Sequence, residues 1–226
     1  MSVSKLYPQL LDEDNSASET EDITLTEKPA FLIPKNERAT SAEKGTATHT
    51  FMQFCDFEAA ERNGVHTEIE RLCNLGFISK ETADIINVRH IESFFESGFY
   101  RDMKLTVSGG GRLWREQRFN IFMPASLFSA DEEFKELVAD ELITVQGVID
   151  LIIEDKDGNI TLCDYKTDHL TPREMSDTSL AAKMLGERHG RQLSYYKEAV
   201  RQIFGREPKR ICIYSLPLGD AVDVSV

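Results

Sequence analysis

The stretch that most constrains this chain is residues 147–168, GVIDLIIEDKDGNITLCDYKTD. Residues 142–153 are rich in Ile, Val and Leu, and residues 160–165 form a second such run. Asp157-Gly158 lies between them as a turn signal, so the two runs are expected to fold back as paired strands. A three-residue loop Lys156-Asp157-Gly158 with Gly158 left-handed sets Asp155 opposite Asn159 and, counting outward, Asp150 opposite Asp164. A strict two-residue loop shifts that register by one. Lys166 lies two residues beyond Asp164 and so shares its face. Two carboxylates and an ammonium thus converge on one side of a strand expected to be buried, where unpaired charges are rarely found.

Carboxylates placed this way suit a hard cation such as Mg²⁺, which takes oxygen ligands and keeps waters that a phosphate oxygen or a nucleophile can replace. Lys166 would then hold and polarise the attacking water or stabilise charge on a phosphorane-like transition state. The competing reading is a surface ion pair between Asp164 and Lys166. Asp150 argues against it, because it is embedded in an apolar run where a lone charge is costly.

The D-(x)n-D-Y-K-T arrangement resembles the PD-(D/E)xK nuclease superfamily, and the wording GVIDLI and CDYKTD looks like its RecB-family branch, most of all the C-terminal nuclease domain of AddA and RecB helicase-nucleases. Three further matches lie in the family's order: His49 within GTATHTFMQF, Glu116 within WREQRF, and Gln192 with Tyr196 in RQLSYYKEA, similar to a Q-x-x-x-Y helix. Together they cover residues 45–226. The resemblance implies an α/β fold, a restriction-endonuclease-like mixed sheet flanked by helices, with a helical layer on one side and the Q-x-x-x-Y helix on the other.

For the site, the resemblance implies that Asp150, Asp164, Lys166, Gln192 and Tyr196 are catalytic. Mg²⁺, with Mn²⁺ as a substitute, would be held by His49, Asp150, Asp164 and the backbone carbonyl of Tyr165. Glu116 would extend the metal shell or hold His49 in place. Thr167, Arg188 and Arg191 would meet DNA. The activity implied is a metal-dependent, exonuclease-type DNA phosphodiesterase in double-strand-break repair and recombination, working with a helicase portion and a partner nuclease/helicase subunit. Two alternatives stand beside it, a free-standing nuclease of the same family and a non-catalytic DNA-end or partner-docking module.

Composition narrows the reading further. A chain of 226 residues with 41% apolar content supports one medium domain with a real core. The net charge of −13 argues against a generic nucleic-acid surface. It is uneven, however: residues 171–226 carry nine Lys+Arg against seven Asp+Glu, leaving −15 on the first 170. Arg188, Arg191, Lys197 and Arg201 recur on and just before the Q-x-x-x-Y helix, as a track for a DNA backbone or as a solvated face. An isolated acidic domain should bind DNA weakly, which makes tethering to a larger machine plausible. The apolar runs are too short and interrupted for a membrane span, and the N-terminus lacks a basic stretch followed by an apolar one, so the expected location is cytoplasmic. Cysteines 55, 73, 163 and 212 have no CxxC or zinc spacing and read as small core residues. Some RecB-family relatives carry a four-cysteine iron-sulfur cluster with three cysteines grouped near the C-terminus; this spacing differs, so no cluster is expected. The run SGGGR at 108–112 lacks P-loop grammar, so no ATP site is expected.

Along the chain, residues 1–44 read as an arm or linker, with the acidic DEDNSASETED typical of disorder and SVSKLYPQLL as a short helix or strand. Met1 fits either a natural start or a segment of a longer chain. Helices are expected at 45–62, 65–75 and 79–96, the last two stopped by Gly76 and Gly98, with Phe94, Phe95, Phe99 and Tyr100 in the core. A strand is expected at 114–123 with Glu116, Arg118 and Asn120 on one side, followed by a polar insertion to residue 140. After the hairpin, 169–173 reads as a loop, 178–204 as two helices broken at Gly186 and Gly190, and 210–216 with 221–226 as closing strands.

Overall fold

A computed structural model describes residues 39–128 and 131–226. The segments read as an acidic arm and as a short element at 2–11 lie outside the described residues. The first described helix, α1 (Ser41–Phe54), begins four residues before the expected start because Thr40 and Glu43 close a capping box: Glu43 N–H donates to Thr40 Oγ1 at 3.2 Å, and Thr40 N–H to Glu43 Oε2 at 2.8 Å.

Five more helices follow: α2 (Phe57–Asn63), α3 (Val65–Asn74), α4 (Lys80–Ile85), α5 (Val88–Glu96) and α6 (Gly98–Ser108). Two expected helices are therefore each split, and the cause is side-chain capping. Asp56 accepts from Ala59 N–H and Asn87 from His90 N–H, which starts a new helix where apolar periodicity alone would continue the old one. Gly98, expected as a stop, is the first residue of α6, since Ser97 caps Tyr100 N–H. Phe94, Phe99 and Tyr100 are buried in the core as expected, with Phe95 packed against it.

The sheet is five-stranded in the order β1 (Arg112–Pro124), β2 (Leu142–Glu154), β3 (Ile160–Lys166), β4 (Arg210–Ser215) and β5 (Asp220–Asp223). Only β3 and β4 run parallel, so the sheet is mixed. The β2–β3 register pairs Leu151 with Cys163 and Glu154 with Ile160, Asp155 N–H donates to Asn159 O, and Gly158 has φ 83°. This is the three-residue loop; the pairing stops at Leu151 and Cys163, one step short of Asp150 and Asp164. Between β1 and β2 lie a 3₁₀ turn (Ala125–Phe128) and α7 (Glu132–Leu137); the stretch 169–173 is partly helical, in α8 (Pro172–Ser176).

One face of the sheet carries α1 to α6 around Phe51, Phe94, Tyr100, Leu151, Tyr165 and Tyr214. The other carries α9 (Thr178–Phe204) around Ile149, Ile152, Leu162, Leu193 and Tyr196. Helix α9 is continuous, against the expected break. Gly186 packs closely, since a Cβ there would stand 3.2 Å from Val224 Cγ1, whereas one at Gly190 would meet Val226 Cγ1 at an ordinary 3.6 Å. Packing of α9 on the sheet outweighs a helical penalty of about 1 kcal/mol per glycine.

The side-chain alternation of β1 and β2 reverses midway. In β1, Leu113 packs on the first core, whereas the odd-numbered Phe119, Ile121 and Met123 face the second. In β2, Val145 and Ile149 face the second core, but Leu151 and Ile153 face the first. The register is unbroken across the change, Arg115 facing Leu151 and Gln117 facing Ile149, so the residues at the reversal are Glu116 and Asp150. Glu116 has φ 50°, the one positive value outside glycine among the described residues. A strand residue in that region costs about 1–3 kcal/mol and persists where its surroundings demand it.

Candidate metal centre

Three elements deliver the site. Helix α1 brings His49, and the reversal points of β1 and β2 bring Glu116 and Asp150. One ligand atom from each of these three lies within 4.8 Å of the others. His49 Nδ1 is 3.3 Å from Asp150 Oδ1, and the other oxygen of Asp150 accepts from Tyr165 N–H at 2.7 Å. That second contact marks where β2 parts from β3: the ladder ends at Leu151 and Cys163, and a carboxylate takes the amide that a strand carbonyl would otherwise hold. Asp150 is 7% exposed.

Asp164 and Lys166 point from β3 toward α9. Asp164 is 1% exposed, and its Oδ2 lies 2.8 Å from Lys166 Nζ, outside hydrogen-bonding angles, so the contact is ionic. Lys166 Nζ donates to Gln192 Oε1 at 3.0 Å, and Gln192 Nε2 donates to the Tyr196 hydroxyl at 2.7 Å. The Q-x-x-x-Y pair therefore restrains the ammonium. Tyr196 itself is buried against Phe119. Asp164 is not one of the clustered three; it stands beside them, coupled to Asp150 through charge.

The electrostatics follow from burying many charges together. Burial pulls the His49 proton off, but the adjacent Asp150 carboxylate outweighs it and raises the pKa to about 9. Burial and the charge of Asp150 push Glu116 up to about 7. Burial would raise Asp150 as well, yet His49, Lys166 and the Tyr165 amide hold it below the usual carboxylate range. For Asp164, burial and Asp150 together win over Lys166 and raise it. Lys166 keeps its proton more firmly than usual, since Asp164 and Asp150 overcome its burial. A nitrogen donor and two carboxylates, one of which resists ionisation for want of positive charge, form a donor set that fits a divalent cation.

His49 and Glu116 open into a cleft of about 310 Å³ lined also by Gly45, Gln53, Lys166, Thr167 and Asp168, with Asp150 buried behind them. Asp168 closes the CDYKTD run, and the motifs alone do not single it out. It is 8% exposed and meets His189 Nε2 at 2.8 Å and Arg188 Nη1 at 3.5 Å, tying the loop after Lys166 to α9. The signal for it lies in the spacing, because His189 sits one turn before Gln192. Of the other basic residues on α9, Arg201 is paired with Glu198 at 2.5 Å and Lys197 with Glu207 at 3.7 Å. Arg191 is exposed beside a second groove shared with Met123, Leu127 and Tyr195. The structure thus brings His49, Glu116, Lys166 and Thr167 to one cleft and leaves Arg191 outside it.

The model of the PD-(D/E)XK nuclease superfamily matches residues 25–221. The chain belongs to this superfamily. As a PD-(D/E)XK protein it is similar to proteins named as subunits of an ATP-dependent helicase/nuclease. The one from Clostridium perfringens is 28% identical over 97% of this chain and 16% of its own length. That from Clostridium botulinum is 30% identical over 99% of this chain and 16% of its own, and that from Lachnoclostridium phytofermentans 28% identical over 87% and 16%. The chain thus spans about a sixth of the length of the curated relatives it matches. Among the described residues no helix is long and apolar enough to cross a membrane.

Proposed function

We propose that this chain is the nuclease portion of an AddA-like helicase-nuclease, hydrolysing DNA phosphodiester bonds with Mg²⁺ in the cytoplasm as part of double-strand-break repair and recombination. The observation that carries the reading is the His49–Glu116–Asp150 cluster beside an ammonium restrained by two other side chains. His49, Glu116 and Asp150 would hold the cation, with Asp164 and the Tyr165 carbonyl adjoining. When bound, it would withdraw charge from the scissile phosphate.

The remaining work falls to the chain's own groups. Water attacks phosphorus, one P–O bond forms and the bond to the leaving sugar oxygen breaks; the attacking water gives up a proton to solvent and the leaving oxygen takes one from it. Lys166 presents N–H donors toward the charge that grows on the phosphoryl oxygens, and because Gln192 and Asp164 already fix its position, little reorganisation is needed as that charge develops. Thr167, Arg188 and Arg191 would meet the DNA backbone. Arg188, Lys197 and Arg201 each also face a carboxylate, Asp168, Glu207 and Glu198, so their net pull on a phosphate is reduced. With −13 overall, affinity for DNA rests on attachment to a larger assembly, made of a helicase portion and a second nuclease/helicase chain.

The test is incubation of the purified chain with linear and circular, single- and double-stranded DNA, with Mg²⁺, Mn²⁺ or EDTA. Cleavage that requires the cation, favours ends and disappears in Asp150→Ala is the expected result. Cation-independent cleavage, or an active Asp150→Ala, would refute the proposal.

A further inference from the structure

We infer that Arg115 is a positioning residue for the cation site: it fixes the helix that carries His49 against the strand that carries Glu116. The inference rests on the metal reading of the trio given above.

Arg115 precedes the strained Glu116 in β1 and reaches across to the end of α1. Its Nη1 donates to Met52 O at 3.2 Å and to Cys55 O at 2.5 Å, while its guanidinium carbon lies 4.5 Å from the centre of the Phe57 ring. These acceptors exist because α1 ends at Phe54. Cys55 is extended at φ −61° and ψ 133°, which leaves carbonyls of the last turn without helical partners. A second guanidinium serves the same kink: Arg71 Nη2 donates to Phe54 O at 3.4 Å. Arg71 is itself bound by Glu68, which also accepts Asp56 N–H at 2.6 Å. Arg71 therefore ties the kink to α3 inside the helical layer, whereas Arg115 ties it to the sheet.

That difference matters for the site. Met52 is one turn beyond His49, and Glu116 is the next residue after Arg115, so the Arg115 bridge closes a short loop that includes two of the three clustered ligands. With the bridge intact, His49 Nδ1 stands 3.3 Å from Asp150. Without it, α1 can pivot about Cys55, and the residue that moves with it is His49. The planar guanidinium suits the task, since its face packs on Phe57 while one of its nitrogens donates to both carbonyls; an ammonium could reach the carbonyls but offers no flat face to the ring.

The experiment measures Mn²⁺ affinity by calorimetry on the full 226-residue chain without DNA, so the readout is binding and not turnover. Arg115→Gln should weaken Mn²⁺ by about 10- to 100-fold, the usual loss when a partner that orients a ligand is removed. Arg115→Lys, which keeps charge and stem and so guards against an unfolded Gln variant, should still bind several-fold more weakly than the parent. Arg71→Gln should lower the melting temperature but leave Mn²⁺ affinity within about twofold, as expected for a site acting elsewhere. In a His49→Ala background, Arg115→Gln should cost no further affinity. Parent-like affinity in both Arg115 variants, an equal loss in Arg71→Gln, or additive losses with His49→Ala would each overturn the inference. A parent chain that binds no Mn²⁺ would instead overturn the metal reading itself.

Discussion

Removing Lys166 tests chemistry and stability at once. The Lys166 side chain is 16% exposed and its partner Asp164 is 2% exposed, at 2.8 Å. Breaking a buried pair from one side costs about 3–5 kcal/mol, because the remaining charge is stranded. Asp164 has an escape, since its carboxyl is already raised by burial and by Asp150 and can take up a proton. Lys166→Ala should therefore lose stability near the lower end, about 3 kcal/mol at neutral pH. The sign follows from linkage. A carboxyl that holds its proton more tightly folded than unfolded makes the folded state weaker as pH rises; Asp164 is raised in the parent and further raised without Lys166, so the gap between variant and parent should widen as pH rises past the parent's own raised value. Adding Asp164→Asn should restore part of the loss, because both partners are then neutral. In single-turnover cleavage, Lys166→Ala should fall by about 10²–10³ or more with Mn²⁺ binding retained. Lys166→Arg should recover little, since a broad guanidinium cannot reproduce a compact ammonium between Asp164 and Gln192. An Arg variant within a few-fold of the parent, or an Ala variant with a pH-independent stability change under about 1 kcal/mol, would refute this reasoning and favour a simple surface ion pair.

Asp164→Ala should abolish cleavage while DNA affinity in a filter-binding assay stays near the parent's, since a negative charge is removed from the path of the phosphates; selective loss of binding would count against it. Cation binding should release protons, because Glu116 near 7 and His49 near 9 must both give theirs up; Mn²⁺ affinity should rise steadily from about pH 6 to 9, and calorimetry in buffers of differing ionisation enthalpy should show proton release. Gly190→Ala should stabilise the fold by up to about 1 kcal/mol in urea denaturation, because its Cβ would meet Val226 at an ordinary 3.6 Å. Gly186→Ala should gain less, since Val224 at 3.2 Å must yield first.

The hairpin was legible because its signals are local. Asp157-Gly158 fixed the loop, and the loop fixed the register as far as Leu151 and Cys163, the neighbours of Asp150 and Asp164. The mixed sheet between a helical layer and α9 likewise follows from motifs in sequence order. What escaped was set by contacts distant in sequence. Apolar spacing could not reveal that Asp56 and Asn87 start new helices, although each is a good cap residue. The glycines of α9 look like breakers until Val224 and Val226 are seen against them. Period-two reasoning put Glu116 on one side with Arg118 and Asn120, which assumes an even pleat; the positive φ at Glu116 breaks that assumption where the site lies. Arg115 and His189 act through partners 60 and 21 residues away, so no short motif could expose them.

The reversal of β1 and β2 has a consequence for how the molecule fails. Up to Glu116 and from Leu151 onward, the odd-numbered side chains of the hairpin face the core under the helical layer; between those points they face the core under α9. The candidate centre sits on the seam between them, drawing His49 from one half, Gln192 and Tyr196 from the other, and its carboxylates from the crossing point. A change that loosens the fit of the two halves, while each stays packed within itself, would disperse these groups before any secondary structure melts. Catalytic competence would then report on the docking of the halves, and would be the first property lost on heating.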